Sequence, residues 1–372
     1  PIQPHLPLEI PTLAESLANS GYATACIGKW HLGGAAFGPA HQGFHHVHPG
    51  RANTPPSTTE ASKGEFDLTR NAVAFIEAHR HQPFFVLLAH NSPHIPYAAR
   101  PDQRDAHAHA FEPTYAAVIE SLDASVGLLL HELNRLDLDQ NTLVIFTSDN
   151  GGLHVPELHH ARVTHNGPFR AGKGFLHEGG LRIPLIVRWP GRIPAGRITD
   201  APFLNTCWLP TLLDIAKVPS PNRPHTDAPS LAPFLTASAP PPRTPLFWHF
   251  PHYSNQGGRP AGAVRDGRWK LIELYDTDAV ELYDLQTDPG ETRSVANQHP
   301  RRVRRLRAAL EAWRTRIAAQ RNPPNPAFNP DRFNELYVDF DPSRFRPLEA
   351  TPADWARVAA WRRAMDAAVA RP

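Results

Sequence analysis

Three short runs of uninterrupted apolar residues stand out along the chain: FFVLLA at 84–89, TLVIFT at 142–147 and PLIVRW at 184–189. Each has the length of a strand buried on both faces and is too short for a helix. A further strand is predicted at 22–27. It follows a helix over 9–21, in which Thr12 and Glu15 have capping-box spacing and Gly21 sits where a left-handed terminal residue belongs. Between these runs the apolar spacing changes to three and four. Residues 67–80 predict a helix with Val73 and Ile76 inward. A long helix is predicted from Pro113, with Ile119, Leu122, Val126, Leu129, Leu133 and Leu136 on one face. Residues 35–64 have no periodicity and read as loop. Strands alternating with amphipathic helices predict an α/β fold with a largely parallel sheet.

Beyond a stretch rich in Pro, Ser and Ala at 219–245 the texture changes. LFWHF, AVRDGRWKLIEL and VELYDLQTD are aromatic and β-branched, and are joined by turn signals such as Asp266-Gly267 and Asp288-Pro289-Gly290. They predict a small antiparallel sheet. A helix follows over 300–320 with Val303, Leu306, Leu310, Trp313 and Ile317 on one face, and another is expected near 354–369. The expected division is a domain at 1–240, an α+β subdomain at 241–320 and a Pro-rich tail at 321–372. There are no internal repeats.

Length supports this division, since 372 residues exceed one typical core. The 41% apolar content is that of a globular interior. A net charge of +2 gives no reason to expect nucleic acid or an anionic membrane as partner. No run approaches the ~20 apolar residues of a membrane span. The two cysteines, Cys26 and Cys207, lack CxxC spacing and read as two buried thiols. The chain starts at Pro1 and its one methionine is Met365, which predicts either a removed leader or a fragment.

Three polar clusters follow strand ends or turns, where sites gather in open α/β sheets. In Gly28-Lys29-Trp30-His31, the lysine and histidine either face an anion or are a solvated lysine beside a packing histidine. In Asn91-Ser92-Pro93-His94-Ile95-Pro96, two prolines hold His94 as a positioned acid, base or anion donor, or as a structural histidine of a stiff loop. In Ser148-Asp149-Asn150-Gly151-Gly152, a carboxylate and an amide oxygen are hard ligands suited to a divalent cation, or form a turn. Downstream, Lys173 lies in a glycine-rich stretch that lets backbone approach a ligand closely.

Taken in order, these segments resemble the sulfatase family of the alkaline-phosphatase-like superfamily. GYATACIGKWHLGG resembles its second signature, NSPHIP its histidine loop, TLVIFTSDNGG its metal-bearing strand and NGPFRAGKGFLHEGGLRIPLIVRWPG its second lysine segment. FWHFPHYSNQ, AVRDGRWKLI and ELYDLQTDPGETRSVA look like its C-terminal subdomain. The resemblance runs from about Leu6 to about Gln320. It implies an α/β sandwich with a large, mostly parallel central sheet flanked by helices, plus a smaller C-terminal antiparallel sheet with a helix. By that resemblance, Lys29, His31, His94 and Lys173 contact the sulfate and the nucleophile, and Asp149 and Asn150 bind Ca2+. His252 and Asn255, in a polar loop, line the leaving-group side. The family also has a strand ending in paired aspartates and a Cys/Ser-x-Pro-x-Arg segment whose Cys or Ser becomes formylglycine. Neither is found in this sequence, so the 372 residues by themselves are expected to be inactive and poorly stable. The substrate class implied is an aryl or carbohydrate sulfate ester, and the location a periplasm or the outside. Alternatives are an inactive homologue that binds sulfated glycans or a partner, and a phosphatase or phosphonate hydrolase of the same superfamily.

Overall fold

The computed structural model describes residues 5–50, 56–59, 62–158, 160–221, 228–237 and 239–369. The chain begins with α1 (Leu13–Ala18), β1 (Ala23–Gly28), β2 (His46–Pro49), α2 (Glu65–Ala78), β3 (Phe84–Ala89), α3 (Pro101–Ala106), α4 (Pro113–Arg135) and β4 (Val144–Thr147). It continues through α5 (Glu178–Leu181), β5 (Leu185–Arg188), α6 (Trp208–Ala216) and α7 (Ala232–Thr236). The last part holds β6 (Leu246–Phe250), β7 (Ala261–Asp266), β8 (Trp269–Leu274), β9 (Val280–Asp284), α8 (Pro300–Arg316), α9 (Pro330–Tyr337) and α10 (Pro352–Val369). These elements form two compact units: Pro1–Ile145 with Ile186–Pro242, and Phe146–Leu185 with Arg243–Pro372. Residues 146–185, which sequence texture grouped with 1–240, thus cluster with the C-terminal sheet. Side chains such as Glu178 and Arg170 are bonded to Lys270 and Tyr283 there.

In the first unit β1 is the centre of a three-stranded sheet of order β2-β1-β3, and both pairings are parallel. The pleat sends Ala23, Ala25 and Ile27 to one face, where Leu68, Ala72 and Phe75 of α2 cover them. Cys26 goes to the other face, with Ala14 and Phe44. Both cysteines are free and buried. The Thr12–Glu15 capping box forms as the spacing predicts. Strand β2 lies in the stretch read as loop. Its sequence HVHP shows no burial alternation, and it is held by register with residues 25–28 of β1. In α4 the buried positions are Ala117, Val118, Ser121, Leu122, Ser125 and Leu133, while Ile119 is 38% exposed. The predicted leucine face is therefore displaced toward small residues, which let α4 lie close against α2.

The parallel sheet is smaller than expected. Among the described residues it has three strands, and β4 pairs with β5 in a separate two-stranded sheet. The apolar runs predicted to be covered on both faces are correspondingly open: Leu87 is 38%, Leu185 40% and Ile186 63% exposed.

In the second unit β6-β7-β8-β9 form an antiparallel meander, with Gly267 at φ 59° in the turn between β7 and β8. Leu306 and Leu310 of α8 cover Val264, Leu271 and Leu282 on one face. The other face packs Ala261, Ala263, Ile272 and Tyr283 against Leu285 and Leu176. Helix α10 occupies the predicted position, whereas α9 had no sequence signal.

Candidate functional site

The first unit presents Lys29 and His94 from neighbouring strand ends. Parallel register pairs Gly28 with Ala89, so the GKWH and HNSPH segments leave the sheet at the same edge. Gly28 has φ 111°, and a Cβ there would stand 2.0 Å from the Ala89 carbonyl oxygen. A glycine is needed for this approach. The Lys29 N–H then donates to that same carbonyl at 2.7 Å. Trp30 is fixed by its Nε1 donating to Phe37 O at 3.1 Å and by packing on Phe44. Its neighbour Lys29 is half-buried, and His31 is exposed.

His94 sits between two cis prolyl bonds, Ser92–Pro93 and Ile95–Pro96. Its Nδ1 lies 2.5 Å from the Ile95 carbonyl oxygen. A carbonyl accepts, so Nδ1 carries the proton and Nε2 is the titrating nitrogen. The loop is braced by Glu65, which is fully buried. The Glu65 carboxylate accepts from the Ser92 hydroxyl, and from Lys63 N at 2.9 Å. Sequence reading missed Glu65, because its partner Ser92 is 27 positions away.

The second unit binds the Asp149-Asn150 turn to the loop carrying Lys173. Gly151 N donates to Gly180 O at 3.0 Å, and Lys173 N to Gly152 O at 3.1 Å. Asn166 clasps both strands of this arrangement. Its Oδ1 accepts from Gly152 N at 2.8 Å, and its Nδ2 donates to Gly152 O at 2.8 Å and Ala171 O at 3.0 Å. Asn150 Nδ2 donates to Gly151 O at 2.9 Å, which leaves its Oδ1 as the atom suited to a cation. Asp149 is exposed. Two such side chains do not complete a calcium shell of about six to eight oxygens. Among the described residues no group of three or more His, Cys, Asp or Glu could hold a metal.

The polar loop after β6 touches the Lys173 segment. A Cβ on Gly258 would stand 1.8 Å from Gly174 O, and Ser254 Oγ donates to Gly174 O at 3.4 Å. His252 on this loop is half-buried, and burial lowers its imidazole below the ordinary range. Asn255 is exposed, with Nδ2 donating to Glu157 Oε1 at 3.0 Å.

Beneath the Lys173 loop lies a buried ionic network. Lys270, fully buried, is 2.9 Å from both Glu178 and Glu291. Burial pushes the Glu178 carboxyl up, but Lys270, Arg182 and Arg265 outweigh it and hold the group at about 2. Burial likewise pushes Glu281 up, while His177 and Arg170 pull it well below the usual carboxylate range.

A family model described as Sulfatase matches residues 1–218, and one described as N-sulphoglucosamine sulphohydrolase, C-terminal, matches 169–316. The chain is 33% identical to arylsulfatase A of Homo sapiens over 349 residues, covering 77% of this chain and 67% of that protein. It is 31% identical to an N-acetylgalactosamine-6-O-sulfatase of Bacteroides thetaiotaomicron over 270 residues, covering 67% of this chain and 50% of that one. The chain thus spans between half and two thirds of these relatives' lengths. The crystal structure of Ps i-CgsB in complex with k-i-k-neocarrahexaose shares the fold, with a TM-score of 0.73 at 23% identity over 95% of this chain and 80% of that one. Motif order, fold and the family models agree that this chain is a member of the sulfatase family.

Proposed function

We propose that this chain is the greater part of a calcium-assisted sulfuric ester hydrolase. The observation that carries the reading is the Asn166 clasp, which ties the backbone of the loop bearing Lys173 to the turn bearing Asp149 and Asn150. A sulfate ester develops negative charge on its sulfonyl and leaving oxygens as the bond breaks. Fixed ammonium groups stabilise that charge where it forms. Each unit carries candidates for this role, Lys29 with His31 in the first and Lys173 in the second. His94 holds a proton on Nε2 for the leaving oxygen. Asp149 and Asn150 contribute part of the calcium shell. Bound Ca2+ would add positive charge at the sulfate, and formylglycine would supply the nucleophile.

A sulfated sugar is the favoured substrate class. Support comes from the relative that is an N-acetylgalactosamine-6-O-sulfatase and from the structural neighbour crystallised with a carrageenan oligosaccharide. His252 and Asn255 would then flank the sugar, with Asn255 exchanging its bond to Glu157. Export from the cytoplasm belongs to the same proposal. Among the described residues no helix is long and apolar enough to cross a membrane.

The test uses the complete polypeptide, with its upstream gene segment, on an aryl sulfate and an aryl phosphate. Sulfate turnover should dominate, and Lys173→Ala should lower it by about 10²–10³-fold. Preference for phosphate would favour the phosphatase alternative. An upstream segment without Cys/Ser-x-Pro-x-Arg, together with no turnover of either ester, would replace the hydrolase by a glycan-binding homologue.

A further inference from the structure

The two family models end at residues 218 and 316, so the stretch from 317 onward lies beyond both. Part of that stretch is nevertheless built into the loop that carries Lys173. Arg170, three positions before Lys173, is 7% exposed. Its guanidinium donates from Nε to Ser343 O at 3.2 Å, from Nη2 to Ser343 Oγ at 2.6 Å, and from Nη1 to Tyr283 Oη at 2.8 Å and Glu291 O at 3.3 Å. Asp341 at 3.5 Å and Glu281 at 3.7 Å balance its charge. Buried His154 donates from Nε2 to the neighbouring Pro342 O at 2.9 Å. Its ring lies directly over Gly172, where an added Cβ would meet His154 Nδ1 at 2.8 Å.

The tail segment is itself rigidly set. Ser343 is 5% exposed, and its N and Oγ donate to Asp341 Oδ1 at 3.0 and 2.6 Å. Pro342 and Trp361 close over Gly257, where a Cβ would stand 2.4 and 2.7 Å from them. The tail therefore also abuts the loop holding His252 and Asn255. A peripheral tail needs none of this. A guanidinium has five donors in a fixed fork, so partners on the tail and on the sheet together dictate one placement of its backbone. Removing one partner leaves a buried charge short of acceptors, and the loop must move to recover them.

We propose that residues 341–345 are a positioning element for the Lys173 loop: their docking fixes Arg170 within the loop and His154 against Gly172, and so sets the place of the Lys173 ammonium. The catalytic meaning of this rests on the reading of Lys173 as a sulfate contact, but the test does not. The full chain is treated with limiting acetic anhydride, and the acetylation rate of each lysine is followed by mass spectrometry. Ser343→Ala should raise the Lys173 rate by about threefold or more through local loosening. Lys270, fully buried in the same unit, and Lys217, in the other, should keep their rates. An unchanged Lys173 rate overturns the proposal. So does an equal rise at Lys270, which marks general loss of structure. Asp341→Asn tests the same docking on a partly exposed side chain with less demand on folding, and an unchanged Lys173 rate there is equally adverse. Acetylation needs no turnover, so the outcome stands apart from the hydrolase reading.

Discussion

The site candidates that sequence singles out most readily stand beside a backbone punctuation mark. Lys29 follows a glycine, His94 is flanked by prolines, and Asp149 and Asn150 end an apolar run before two glycines. Each signal is local, because glycine and proline act on their own backbone. Asn166, Arg170 and Glu65 gave no comparable signal. Their meaning depends on partners such as Ser343, 173 positions from Arg170, which no local pattern encodes. Gly28 is the sharpest residue-level test. Its φ is 111°, and an alanine methyl there would stand 2.0 Å from Ala89 O, so Gly28→Ala should cost well over about 1 kcal/mol in chemical denaturation. A near-neutral result would mean that the strand ends do not approach so closely. Cys26 offers a milder check. Burial pushes its thiol up to about 11, so native protein should alkylate slowly at neutral pH and quickly in denaturant.

At the level of elements, legibility followed the strength of the periodic pattern. Helices α2, α4 and α8, the apolar strands and the Asp266-Gly267 hairpin all lie where the pattern puts them. Strand β2 did not, since an edge strand that buries little needs no apolar alternation and is recruited by its neighbour's hydrogen bonds. The α4 face was displaced because small residues, not leucines, mark a close helix contact. For α8 the reading and the packing coincide, and Leu310 is fully buried between helix and sheet. Leu310→Ala should therefore cost about 2–5 kcal/mol, read as a lower denaturation midpoint with an unchanged slope.

For the whole molecule, acid stability separates two groups of buried charges. Burial lowers His90 and His154 from 6.5 to about 4. Their neutral forms favour the folded state fully above pH 6.5, and that contribution is lost as pH falls from 6.5 to about 4. Glu178, held at about 2 instead of 4.5, contributes stability above pH 4.5 that is lost as pH falls toward 2. Thermal midpoints measured against pH should thus decline in two stages. Lys270→Met should remove about 3–5 kcal/mol by stranding Glu178 and Glu291, and should move the lower stage to higher pH. A lower stage that stays in place would show that Lys270 is not what holds Glu178 ionised. The uncovered strand residues Leu87, Leu185 and Ile186 predict a further property of this chain alone. Apolar strand surface invites pairing with other copies. Gel filtration should show association that grows with concentration, whereas a monomer at all concentrations would contradict it.

Each unit is assembled from two separated lengths of chain, and that has a consequence in time. The segment bearing Lys173 leaves the ribosome long before the partners that brace it. Lys270 follows Glu178 by 92 residues, and Ser343 follows Arg170 by 173. At translation rates of about 5–20 residues per second, Arg170 waits roughly 9–35 s for Ser343. During synthesis the lysine loop is therefore among the last parts to acquire its final form. A chain released before residue 341 is made would hold every described strand but a lysine loop that still lacks its last supports.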